Sequence, residues 1–268
     1  MHIHVFTSEV ELAEAAARRI VDRVRTDADA VIGLATGASP VAVYEAWGRA
    51  AEALGIDQRR VRGFALDEYL GLDPEDPRSY HAVIRRDAVA GAKLNIDRVR
   101  IPEGNGDPDA PAAYERAINE AGGVDVQVLG IGRNGHLGFN EPGSPADSRT
   151  RVVKLAESTI ADNARYFDRR EDVPTEAITQ GLGTILEARE LLVIAVGAAK
   201  AEAVAAAIEG EPGVALPASL LRNHPNVHWF LDSAAASGLC NVTEPETSTA
   251  QVESSAVLHM PERVARQS

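Results

Sequence analysis

Short apolar runs alternating with helical patterns constrain this chain more than any other feature. The runs at 2–6, 31–35, 61–66, 124–129, 191–196 and 227–231 have strand length and are rich in Val, Ile, Leu and Phe. Between them lie helical patterns. Ser8 and Glu11 make a capping box ahead of a helix with Leu12, Ala16, Ile20 and Val24 on one face. Pro40 suits the first turn of a helix reaching about Ala53, and further helical patterns cover 79–90, 111–121 and an Ala-rich run ending at Gly210. Strands that alternate with helices form an open, mostly parallel sheet with helices on both faces. The C-terminal ends of such strands share one edge, and ligands bind there. Four segments are therefore expected to converge: Thr36 to Ser39, Asp67 with Glu68, Asn134 to Glu141, and Gly197 to Lys200.

Size and charge narrow the function. Within 268 residues, 1–240 reads as a single domain with a large core. A net charge of −13, from 27 basic and 40 acidic side chains, argues against a nucleic-acid partner and against an anionic membrane surface. An anionic small molecule stays open, because a few backbone amides and one or two cations bind phosphate whatever the global charge. Cys240 is the lone cysteine, reads as an inert core residue, and fits a reducing compartment. With neither a secretory leader pattern nor an apolar run of membrane-spanning length, the expectation is a soluble, cytoplasmic protein. Residues 143–180 are polar with a helical piece near 157–167, and are expected to form a mobile lid. Residues 241–268, rich in Thr, Ser, Glu and Pro, are expected to be a loose or disordered tail.

The segments at the sheet edge carry residue types that do chemistry. Thr36-Gly37-Ala38-Ser39-Pro40 joins a strand to a helix, so free amides and a hydroxyl could cradle a phosphate; Ser39 as a plain helix cap is the structural alternative. Asp67 or Glu68, ending an apolar strand, could be a partly desolvated general base. The run Gly130-Ile131-Gly132-Arg133-Asn134-Gly135-His136-Leu137-Gly138-Phe139-Asn140-Glu141-Pro142 places an imidazole near a carboxylate in a glycine-rich loop after a strand. His136 can accept and donate a proton near neutral pH, Glu141 could balance its charge, and Asn134 could hydrogen-bond the ring or the substrate. Arg165 and Lys200 are candidate phosphate cations, and Arg151 and Lys154 flank the same polar segment. The remaining histidines show no metal-ligand spacing.

Five segments together resemble the glucosamine-6-phosphate deaminases, in the glucosamine/galactosamine-6-phosphate isomerase family. They are Leu-Ala-Thr-Gly-Ala-Ser-Pro at 34–40, Phe-Ala-Leu-Asp-Glu-Tyr at 64–69, the glycine loop at 130–142, Ser-Arg-Thr-Arg at 148–151 and Asn-Ala-Arg-Tyr-Phe-Asp at 163–168. The resemblance spans residues 1–240 and implies a Rossmann-like α/β fold with its active site at the strand C-terminal ends. It implies conversion of glucosamine 6-phosphate and water to fructose 6-phosphate and ammonia, without metal or organic cofactor. By the same match, Asp67 is the base at carbons 2 and 1, and His136 opens the sugar ring with Asn134 and Glu141 completing its relay. Gly37, Ala38, Ser39, Arg165 and Lys200 would hold the phosphate. Many family members have Asp where this chain has Asn134, which leaves Glu141 as the only ionisable partner of His136. In members activated by N-acetylglucosamine 6-phosphate, a basic residue stands two positions after that of Arg151; here the place is Val153, and Lys154 is one step out of register. Ser144 and Arg151 are accordingly expected not to form a working activator site. The family includes monomers, trimers and hexamers, so a homo-oligomer stays open. Other readings are action on galactosamine 6-phosphate, a sugar-phosphate lactonase, or a non-catalytic sugar-phosphate sensor.

Overall fold

The computed structural model describes residues 1–240; the tail expected at 241–268 lies outside the described residues. The strands are β1 (His2–Phe6), β2 (Val31–Leu34), β3 (Arg62–Ala65), β4 (Asp67–Tyr69), β5 (Val99–Arg100), β6 (Val126–Gly130), β7 (Arg151–Lys154), β8 (Glu176–Thr179), β9 (Glu190–Ala195) and β10 (Val227–Asp232). The helices are α1 (Glu9–Thr26), α2 (Ala38–Ala53), α3 (Tyr80–Ile84), α4 (Ala90–Ala92), α5 (Ala110–Glu120), α6 (Glu157–Asn163), α7 (Leu182–Leu186), α8 (Ala201–Glu209) and α9 (Ser233–Ala236). A π-helical turn, Arg85–Val89, joins α3 to α4.

Seven strands form one parallel sheet in the order β1-β10-β9-β6-β2-β3-β5. Its central strands are buried along nearly their whole length, which is why they read as continuous apolar runs. Ser8 accepts from the amides of Val10 and Glu11 and caps α1, as its sequence pattern predicts.

A second, three-stranded antiparallel sheet, β4-β8-β7, is a feature the sequence reading lacked. Two of its strands lie inside 143–180, the segment expected to have few strand signals. Arg-Val-Val-Lys and Glu-Ala-Ile-Thr are four residues each, too short for an alternation to stand out. The middle strand, β8, pairs with β7 on one side and with β4, far away in the chain, on the other, so no local pattern announces the sheet. The small sheet covers a second apolar cluster containing Tyr69, Phe139, Leu155, Phe167, Val173 and Ala177, separate from the main core.

Leu66 is the hinge between the sheets. Its amide donates to Leu34 in the large sheet at 2.9 Å, and its carbonyl accepts from Gln180 beside the small one at 2.8 Å. Asp67, the next residue, thus stands where the two sheets part. Cys240 is exposed, against the expectation of a core residue: it follows the last helix, beyond the packed strands. Among the described residues no helix is long and apolar enough to cross a membrane.

Candidate active site

A cavity of about 670 Å³ opens at the C-terminal edge of the large sheet. Thr36 to Ser39, Asp67, His136, Arg165 and Lys200 all line it, so residues more than 160 positions apart meet as the parallel topology requires. Asn134 and Glu141 stand behind His136 rather than on the cavity wall, and Glu68 faces elsewhere.

Asp67 and Glu68 have opposite surroundings. Glu68 accepts from the amides of Tyr69 (2.7 Å), Tyr80 (2.9 Å) and His81 (2.9 Å), and its Oε2 lies 2.8 Å from His81 Nδ1. It is thereby committed to fixing the start of α3. No described residue donates a hydrogen bond to the Asp67 carboxylate. Burial, with the negative charge of Glu68 adding to it, raises the Asp67 pKa to about 8. A carboxyl so poised, open to a cavity and free of donors, is a base with affinity for a proton.

The glycine loop brings His136 to the same cavity. The imidazole lies flat against Gly132, where a β-carbon would come within 2.3 Å of His136 Cε1. Gly138, at φ +56°, presses against Asp67, and a β-carbon there would be 2.9 Å from Oδ2. One loop therefore carries the ring and also abuts the base. His136 Nδ1 is buried without a hydrogen-bond partner, 3.7 Å from Glu141 Oε2. Burial lowers the His136 pKa; Glu141 opposes that effect, and the charge of Lys200 assists it. Asn134 is the spacer that holds this geometry: its Nδ2 donates to Glu141 Oε2 at 2.8 Å while its Oδ1 accepts from the His136 amide at 3.2 Å.

Also lining the cavity, Gly37 precedes α2 without any side-chain cap, and no acidic side chain occupies the first turn. Ser39 lies inside the helix and does not cap it, which corrects the structural alternative for this segment. The first amides of a 16-residue helix are thus left to a ligand. Lys200 reaches in from the start of α8, with Nζ donating to Ile131 O at 2.7 Å; burial lowers its pKa. Exposed Arg165 lies over the Tyr166 ring, 4.7 Å from its centre. Two cations and a set of helix-start amides, sharing one cavity with a base and an imidazole, suit a phosphorylated small molecule.

Arg151 and Ser144 do not line the cavity. The Arg151 guanidinium donates to Asn140 Oδ1 at 2.8 Å, and Asn140 in turn donates to Leu137 O and Gln180 O at 2.9 and 2.7 Å. The Ser144 amide closes a turn on Glu141 O at 3.0 Å. Sequence reasoning assigned no role to Tyr69, Tyr80, Thr159 or Asn163, all of which line the cavity. Tyr69 and Asn163 lie within the motif segments at 64–69 and 163–168, so their positions were marked even though their contacts were not.

The family model "Glucosamine-6-phosphate isomerases/6-phosphogluconolactonase" matches residues 7–229. A glucosamine-6-phosphate deaminase of Rhodopirellula baltica is 49% identical over 220 residues, covering 81% of this chain and 88% of the relative. One of Bifidobacterium longum is 48% identical over 248 residues, covering 88% and 92%. A solved structure described as a monomeric glucosamine-6-phosphate deaminase superposes with a TM-score of 0.86 at 39% identity, covering 89% of this chain and all of that one. The 6-phosphogluconolactonase of Trypanosoma cruzi shares the fold, with a TM-score of 0.73 at 22% identity over 90% of this chain and 97% of its own.

Proposed function

The chain belongs to the glucosamine-6-phosphate isomerase/6-phosphogluconolactonase family, and from that premise we propose that it converts glucosamine 6-phosphate and water to fructose 6-phosphate and ammonia. The observation that carries this reading is the company kept in one cavity: an unpaired, buried Asp67 and a Glu141-backed His136 line it together with the start of α2, Lys200 and Arg165.

The chemistry needs both sets of groups. A sugar closed as a pyranose hides its aldehyde, so a proton must first be moved at the ring oxygen; His136 takes this role, with Glu141 stabilising the charged ring. Asp67 then takes the proton from carbon 2 and returns it to carbon 1 through an enol-type intermediate. The nitrogen at carbon 2 is left as an imine, which water hydrolyses to the ketone, releasing ammonia. Gly37, Ala38, Ser39, Arg165 and Lys200 hold the phosphate throughout, and residues 157–166 cover the cavity and limit water access. Ser144 and Arg151 are proposed to make no activator site, Arg151 being engaged by Asn140.

Purified protein incubated without added metal, with glucosamine 6-phosphate and in parallel with galactosamine 6-phosphate, tests the reading. Equimolar ammonia and fructose 6-phosphate from the gluco substrate are expected. Product from the galacto substrate alone would change the substrate assignment, and no product from either would end the deaminase reading.

A further inference from the structure

One short helix touches three separate parts of the site. Thr159, Asp162 and Asn163 occupy positions i, i+3 and i+4 of α6, so they share one face. Thr159 is buried, and its hydroxyl donates to Glu141 Oε1, the oxygen not engaged by Asn134. Asp162, which lines the cavity, pairs with Arg133 of the glycine loop, which also lines it. Asn163 Nδ2 donates to the Tyr69 hydroxyl at 2.8 Å, on the strand that starts with Asp67. Beyond Asn163 the chain runs directly into Arg165, whose guanidinium faces the same cavity.

We infer that this face of α6 couples the docking of residues 157–166 to the chemistry, with Thr159 positioning Glu141 against His136 and Asn163 positioning Arg165 for the phosphate. The two residues act on different steps. With Asn134 holding Oε2 and Thr159 holding Oε1, the Glu141 carboxylate has a single orientation, and the 3.7 Å separation from His136 Nδ1 follows from it. Without the Thr159 hydroxyl, Asn134 alone holds the carboxylate, which can then rotate away from the ring. Asn163 has no contact with that relay. Its bond to Tyr69 fixes the end of α6, which sets where the following turn puts Arg165. A docked α6 therefore completes both the relay and the phosphate cation, and an undocked one completes neither.

This inference rests on the deaminase reading for His136 and Glu141, and its test separates the two. Thr159→Val keeps the shape of the side chain and removes the donor. It is expected to lower kcat for glucosamine 6-phosphate about tenfold or more, the scale of a lost hydrogen bond to a charged group, with KM within about twofold. Thr159→Ser, which restores the hydroxyl, should recover most of kcat. Asn163→Ala should do the reverse, raising KM about tenfold with kcat within about twofold. Equal losses in both constants for both variants, or a Thr159→Ser enzyme as slow as Thr159→Val, would overturn the inference. If the wild-type protein gave no product, the function reading would fail by itself, and amide hydrogen exchange would decide the coupling. Faster exchange in both 130–142 and 157–166 of Thr159→Val supports it; a change confined to 157–166 refutes it.

Discussion

Asp67 and Glu68 are adjacent and both nearly fully buried, yet only one is free to react, because Glu68 is tied to three amides and His81. The isolation of Asp67 has a stability consequence whose sign can be worked out. In the unfolded chain an aspartate loses its proton near pH 4; in the native protein Asp67 keeps it until about 8. Between those limits the folded state holds the extra proton, so stability falls as pH rises. Asparagine carries no such penalty. Asp67→Asn should resist urea better than the wild type at pH 8, by on the order of a few kcal/mol, and nearly match it at pH 4. Equal midpoints at both values would mean that Asp67 is not the isolated carboxyl described. The same shift requires wild-type kcat/KM to climb as pH approaches 8, because the base acts as the carboxylate. The adjacency of two acids was plain in the sequence, and the family match favoured Asp67. The physical reason, a helix start that claims Glu68, appears only when α3 returns to β4.

Among elements, Glu115 on α5 anchors the segment that leads into β7 and the start of α7. That carboxylate accepts from the Thr150 amide at 2.8 Å, from Thr184 Oγ1 at 2.6 Å and from Arg149 Nη2 at 2.7 Å, and also from the Thr150 hydroxyl. Burial works against its charge, but these donors outweigh that effect and hold its pKa below the usual carboxylate range. Its contribution to stability is therefore present above the ordinary glutamate pKa and lost as pH falls through the lowered native value. Glu115→Gln should cost about 1–3 kcal/mol at pH 7 in chemical denaturation and faster hydrogen exchange at 149–154 should accompany it; an unchanged midpoint would place the anchor elsewhere. Legibility divides along the same line. Strands β2, β6, β9 and β10 were readable because burial on both faces makes them mostly apolar runs, interrupted only by residues such as Gln127 and His228. Strands β4, β7 and β8 are short and carry few apolar residues, and β8 pairs with β4 from far off in sequence, so a polar segment was expected where the structure has a second sheet.

For the molecule as a whole, parallel topology turns four strand-end segments into one cavity, and this convergence was legible because strand direction alone dictates it. The contacts of Thr159 with Glu141 and of Asn163 with Tyr69 were not, since each joins a loop or strand to a helix that no periodicity places beside it. The central claim is that proton handling is split, with His136 serving the ring oxygen and Asp67 serving carbon 2. The most direct measurement is exchange of the carbon 2 proton of glucosamine 6-phosphate with deuterated solvent, followed by NMR on wild-type protein and on Asp67→Asn. The predicted result is that Asp67→Asn still binds the substrate but catalyses no exchange at carbon 2. Exchange persisting in that variant at the wild-type rate would contradict the account and move the base to another residue.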